Sequence, residues 1–72
     1  MDEQEKKVTR QKIHYFKEHE ITVHIILNSG QFYNGTIEEE SADFFMLDDL
    51  KFGMLPVFYI QIKDVIPYRS MN

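Results

Sequence analysis

Apolar and polar residues alternate from Ile21 onward: Ile21, Val23, Ile25 and Leu27 share one face, with Thr22 and His24 on the other. A period of two predicts a strand with one buried face. Asn28-Ser29-Gly30 follows as a turn whose glycine accepts a positive φ, and a second strand starts at Gln31. Gly35 lies inside that strand, where a glycine marks a bulge, a sharp bend or the close approach of another backbone. Gly30 and Gly35 are therefore read as structural glycines. The acidic stretch Glu38-Glu39-Glu40-Ser41-Ala42-Asp43 reads as a strand end and a turn. Phe44 to Leu47 fits a short strand and Asp48 to Gly53 a second polar turn. Met54 to Ile62 is the most apolar segment, and its Pro56, which cannot donate to a ladder, belongs at a strand start or a sheet edge. Lys63-Asp64 fits a tight turn, and Val65 to Tyr68 a last short strand.

Upstream, Lys7 to His19 contains neither Gly nor Pro, and Val8, Ile13 and Phe16 recur near helical spacing, which predicts one short amphipathic helix. Residues 1–6 are charged and expected to be disordered, residues 7–69 to form one domain, and residues 70–72 a tail. One helix followed by five short strands with local turns predicts a mostly β chain, folded as a small, strongly bent antiparallel barrel.

A chain of 72 residues can build one core and buries only roughly 60% of its unfolded surface, so outside help with stability is expected. There is no cysteine, and His14, His19 and His24 show neither H-x3-H nor H-E-x-x-H spacing and read as surface or core histidines, so no metal and no cofactor is expected. Oligomerisation remains. No stretch approaches the roughly 20 apolar residues a membrane span needs, and MDEQEKK is no secretory signal. These features predict a soluble, cytoplasmic protein with no membrane contact.

The formal net charge of −4 argues against general binding to duplex DNA, which needs many cations for phosphate neutralisation. Yet Lys6, Lys7, Arg10, Lys12 and Lys17 cluster around the helix, which makes that segment locally basic. Glu38, Glu39, Glu40, Asp48 and Asp49 fall at turns or strand ends and read as solvated charge. With no nucleophile elbow, phosphate loop or Cys-His pair, an enzyme is not expected. The six Phe and four Tyr are more than so small a barrel can bury. Phe44 and Phe45 must point to opposite faces; the outer one packs on the helix or a neighbouring subunit, or serves as a base-stacking platform. Residues 54–60 are apolar on both faces, so the helix or a second chain must cover the outer one. A closed ring built by strand pairing would remove an aggregation-prone edge.

The order of elements, with "VHIILNSGQFYNGTI", an acidic turn, "DFFMLDD" and "VFYIQIKDVIPYR", resembles the Sm/LSm family, in a layout similar to bacterial Hfq, over roughly residues 8–69. Val23, Ile25, Leu27, Gly30 and Gly35 match its first motif; Phe58 to Ile66, closed by Pro67-Tyr68-Arg69, match its second. The resemblance implies an Sm-like (SH3-like) barrel and a homo-oligomeric ring in which the fourth strand of one subunit pairs with the fifth of the next. Pro56, Val57, Phe58, Tyr59, Ile60, Val65, Ile66 and Tyr68 are the interface candidates in such a ring. It also implies single-stranded RNA as partner, bound around the pore, with Asp43, Phe44, Phe45, Tyr59 and Gln61 as candidates on one face. Lys12 and Lys17, with Lys7 and Arg10, would add positive charge. On the opposite face, Gln31 and Asn34 of the hairpin are candidates to hydrogen-bond base edges and Phe32 to stack; the alternative is ordinary hairpin surface. The sequence departs from the family where Met46 or Leu47 replaces a pocket Asn, and where Tyr59-Ile60-Gln61 replaces a basic pair. An RNA-binding ring is the first expectation, and a ring acting as a protein-assembly module without RNA the second.

Overall fold

The computed structural model describes the backbone of residues 3–69 and the side chains of residues 9–69. Helix α1 (Glu3–Glu18) is followed by strands β1 (Val23–Leu27), β2 (Phe32–Glu40), β3 (Phe44–Asp49), β4 (Gly53–Phe58) and β5 (Ile62–Pro67), with a 3₁₀ turn at Tyr59–Gln61. The helix starts at Glu3 rather than Lys7, so residues 3–6 are helical where disorder was expected; residues 1–2 and 70–72 lie outside the described residues.

Ile13 and Phe16, three residues apart, turn one helical stripe into the core. The helix stops in a Schellman arrangement. Ile21 N–H donates to the Phe16 carbonyl at 2.9 Å and Glu20 N–H to the Lys17 carbonyl at 3.1 Å, with Glu20 at φ +53°. Ile21 then packs on the core, turning the chain into β1. Val23, Ile25 and Leu27 are buried, as alternation requires.

The β1–β2 loop closes with Gly30 N–H on the Leu27 carbonyl (2.9 Å) and Leu27 N–H on the Gln31 carbonyl (2.8 Å), and Gly30 takes φ +94°. Gly35 meets a different constraint. It pairs with Asp49, and a Cβ there would fall on the Asp48 carbonyl oxygen, 2.7 Å from its carbon and 2.9 Å from Asp49 Cα. The absence of a side chain lets β2 and β3 approach this closely. A register shift between Ile37 and Glu39 adds curvature to the same pair.

The sheet order is β4-β3-β2-β1-β5, all neighbours antiparallel, so β4 and β5 are edges of a bent, unclosed sheet. The expected strand over Met54–Ile62 is broken in two, and Lys63-Asp64 lies within β5 rather than in a turn. Burial explains the break. Val57, Tyr59, Ile62 and Val65 all face the core, and the two gaps of three residues cannot be made by a regular period of two. The 3₁₀ turn supplies one extra residue and the bulge at Lys63 the other. Helix α1 lies against β2, β5 and the 3₁₀ turn, and no described helix is long and apolar enough to cross a membrane.

Candidate nucleic-acid interface

The 3₁₀ turn is held by three hydrogen bonds, one to Asp43 and two to Asn28. Tyr59 N–H donates to the Asp43 carbonyl (3.0 Å), Asn28 N–H to the Gln61 carbonyl (2.8 Å), and Asn28 Nδ2 to the Ile60 carbonyl (3.0 Å). These bonds place the end of β4 beside the start of β3 and the middle of α1. There Arg10, Asp43, Phe58, Tyr59 and Ile60 line an open concavity of about 320 Å³. The Arg10 guanidinium lies over the Tyr59 ring, 4.8 Å from its centroid. Tyr59 in turn packs on Phe45 at 5.6 Å, and Phe44 on Phe58 at 5.3 Å.

Tyr59 is 3% exposed. Burial raises its phenol pKa, the charge of Glu40 raises it further, and Arg10 partly offsets both. Its hydroxyl stays protonated at neutral pH. Because the ring is sandwiched between Arg10 and Phe45, Tyr59 forms the pocket floor and offers no open face for a base. Phe45 is wholly buried and cannot stack either. Exposed aromatic surface at this site comes from Phe58, with half-buried Phe44 beside it.

The lysines do not converge on this pocket. Lys12 pairs with Asp64 at 3.4 Å, and Lys17 lies 3.6 Å from Glu18 and 3.9 Å from Glu40, which also accepts from His14 Nδ1 at 2.8 Å. Gln61 points its Oε1 at Phe58 N–H (3.4 Å) and serves the turn. Among the interface candidates, Val57, Tyr59 and Val65 are core side chains, whereas Pro56, Phe58, Ile60, Ile66 and Tyr68 are exposed. Of the first three, Val65 alone could serve a neighbour, through its backbone, because Tyr59 N–H is held by the Asp43 carbonyl and Val57 pairs with Phe45 of β3.

On the hairpin side, Gly30, Gln31, Phe32, Tyr33 and Phe52 border a second concavity of about 350 Å³. Phe32 is 58% exposed, with the His24 ring 5.1 Å away, and Asn34 Oδ1 accepts from His24 Nδ1 at 2.5 Å. Leu50, Phe52 and Met54 add further exposed apolar surface.

Two residues carry more than their sequence context suggested. Arg10 does more than add to the general helix charge: it sits three residues before Ile13 on the core-facing stripe, which aims it at the pocket. Asp49, read as solvated, is 6% exposed: its Oδ1 accepts from Asn34 N–H (3.1 Å), and its Oδ2 from Lys51 N–H (2.9 Å) and Phe52 N–H (2.8 Å). Burial alone would raise its pKa. The three backbone donors, aided by the Lys51 charge, bring it below the ordinary carboxylate value.

Compared with solved structures, the chain matches a crystal structure of the pleiotropic translational regulator Hfq with a TM-score of 0.70 at 17% sequence identity, covering 81% of this chain and 95% of that one. The fold is Sm-like. No protein-family model matches the sequence, and no curated protein matches it. Within this Sm-like sheet the pocket lies where the helix, the start of β3 and the β4–β5 connection meet, and its cation comes from α1.

Proposed function

We propose that this protein is a cytoplasmic, non-enzymatic, ring-forming RNA-binding protein that takes single-stranded RNA at the pocket of Arg10, Asp43, Phe58, Tyr59 and Ile60. One observation carries the reading: an arginine stacked on a buried tyrosine, beside exposed aromatic surface, in an open concavity. A guanidinium so fixed can meet a phosphate or a base edge, and Phe58 with Phe44 offers a stacking surface. Asp43 favours a base that presents an N–H donor. Arg10 stands in for the basic pair missing at Tyr59-Ile60-Gln61.

The test is fluorescence anisotropy with oligo-U, oligo-A and mixed-sequence RNA at two ionic strengths, with native mass spectrometry on the same sample. Micromolar or tighter binding that weakens with salt and with Arg10→Ala is expected. No binding at micromolar ring concentration overturns the RNA reading, and a stable monomer overturns the ring.

The second reading, a protein-assembly module, is favoured by the ion-paired state of Lys12 and Lys17 and by the exposed Phe32, Leu50, Phe52 and Met54. A partner retained after nuclease treatment, with no RNA affinity, would select it.

A further inference from the structure

Single contacts fix the hydrogen-bond parity of the two sheet edges. Tyr59 N–H donates to the Asp43 carbonyl, which makes 43 and 59 a bonded pair; alternation then makes Phe45–Val57, Leu47–Leu55 and Asp49–Gly53 bonded pairs. The backbone groups of Met54, Pro56 and Phe58 therefore face away from β3, along the free edge. On β5, Tyr68 N–H donates to the Thr22 carbonyl at 2.8 Å, so Ile66 and Asp64 bond inward to β1, and Val65 and Pro67 face outward, next to the bulge at Lys63.

Both edges are poor in donors. Pro56 and Pro67 have no N–H. Phe58 N–H is engaged by Gln61 Oε1 at 3.4 Å. Val65 N–H is engaged by the carboxylate of its own neighbour, Asp64 Oδ1, at 2.8 Å, and Lys12 Nζ holds that same oxygen at 3.4 Å. The outward carbonyls and the Met54 N–H remain.

One antiparallel register relieves this shortage. With Pro56 of one copy opposite Val65 of the next, Met54 falls opposite Pro67, and Phe58 opposite Lys63. The two prolines then face donors rather than each other: Met54 N–H meets the Pro67 carbonyl, and Val65 N–H can meet the Pro56 carbonyl. That second bond forms only if Asp64 lets go.

We infer that Asp64 is a latch on the β5 edge: its carboxylate, held by Lys12, occupies the Val65 N–H that β4 of a second copy needs, so joining of copies is reversible and set by the release of Asp64. This rests on the ring reading above. Pro56 and Pro67 withhold two further bonds from the seam, which leaves the Val65 bond with a large share of its backbone pairing. The latch also protects the separated subunit, because a donor already satisfied does not recruit stray strands.

The experiment is a dilution series by mass photometry and native mass spectrometry of the full chain, the Asp64→Ala variant and the Pro56→Val variant, with circular dichroism to establish folding. Asp64→Ala should move the assembly midpoint to about tenfold lower concentration, the equivalent of roughly one hydrogen bond. Val65 amide exchange in the separated Asp64→Ala subunit should be faster than in the parent chain. Pro56→Val, which restores a donor, should lower the midpoint independently. Rings whose midpoint is unchanged or raised in Asp64→Ala overturn the latch and leave the ring reading standing. Monomers in all three chains at micromolar concentration overturn the ring reading, and the latch with it.

Discussion

Asp49 and Asp64 both accept backbone N–H groups, one at the β3–β4 turn and one on the β5 edge, yet they work in opposite surroundings. Asp49 is 6% exposed and binds three donors from β2 and the turn, beside the close Gly35 contact. Asp64 has a side chain 53% exposed and binds one donor next door in sequence. The first carboxylate ties β2 to the β3–β4 turn through three bonds at once. The second covers an edge that another chain could cover instead. Equal chemistry thus gives a structural clamp where the carboxylate is buried and an exchangeable cap where it is exposed.

The clamped region should break hardest. Gly35→Ala forces a Cβ into the Asp48 backbone and is expected to cost about 3 kcal/mol or more, enough to unfold much of so small a domain; urea denaturation measures it. Asp49→Ala leaves three backbone N–H groups, two of them on exposed turn residues, without their acceptor and should cost about 1–2 kcal/mol in the same assay.

The pH dependence separates the two carboxylates further. The folded pKa of Asp49 is depressed, so its contribution is fully present above the unfolded value of about 3.9 and is lost as pH falls through the lower folded value. Thermal melts between pH 2 and pH 6 should show an acid-side slope that is flatter in Asp49→Asn.

At the pocket, Arg10→Ala should weaken RNA binding about tenfold, whereas Lys12→Ala, which removes an ion-paired charge, should change it less; anisotropy titrations read both. Smaller still, Glu20→Gly should stabilise by about 0.5–1 kcal/mol in urea melts, because a glycine holds the helix-ending φ of +53° without strain. Asp64→Ala should change monomer stability by under about 0.5 kcal/mol while moving assembly. If it instead destabilised the monomer as much as Asp49→Ala, the contrast between clamp and cap would be gone.

The sequence-based expectations and the structure agree most closely where one residue type answers one local demand. Gly30 in the turn, Gly35 in mid-strand and the alternation of Val23, Ile25 and Leu27 were legible because a positive φ, a missing Cβ and a period of two leave direct marks on the chain. Phe44 and Phe45 were correctly placed on opposite faces, but which one was buried required the sheet to be built. The segment after Val57 misled because Tyr59 and Ile62 are both apolar, whatever the phase of the backbone between them. Only packing reveals the 3₁₀ turn that reconciles them.

By itself, then, the sequence determined the helix, the strand content, the first hairpin and the glycine at which β2 and β3 approach closely, since propensity, periodicity and glycine placement act within a few residues. Tertiary structure alone decided that Tyr59 is a floor under Arg10, that Asp49 is a buried clamp and that Lys12 is tied to Asp64. The physical reason is separation along the chain. Arg10 and Tyr59 stand 49 positions apart, and Lys12 and Asp64 stand 52 apart. Whether a charge is available to a partner or spent within the chain depends on which residues the folded sheet brings beside it.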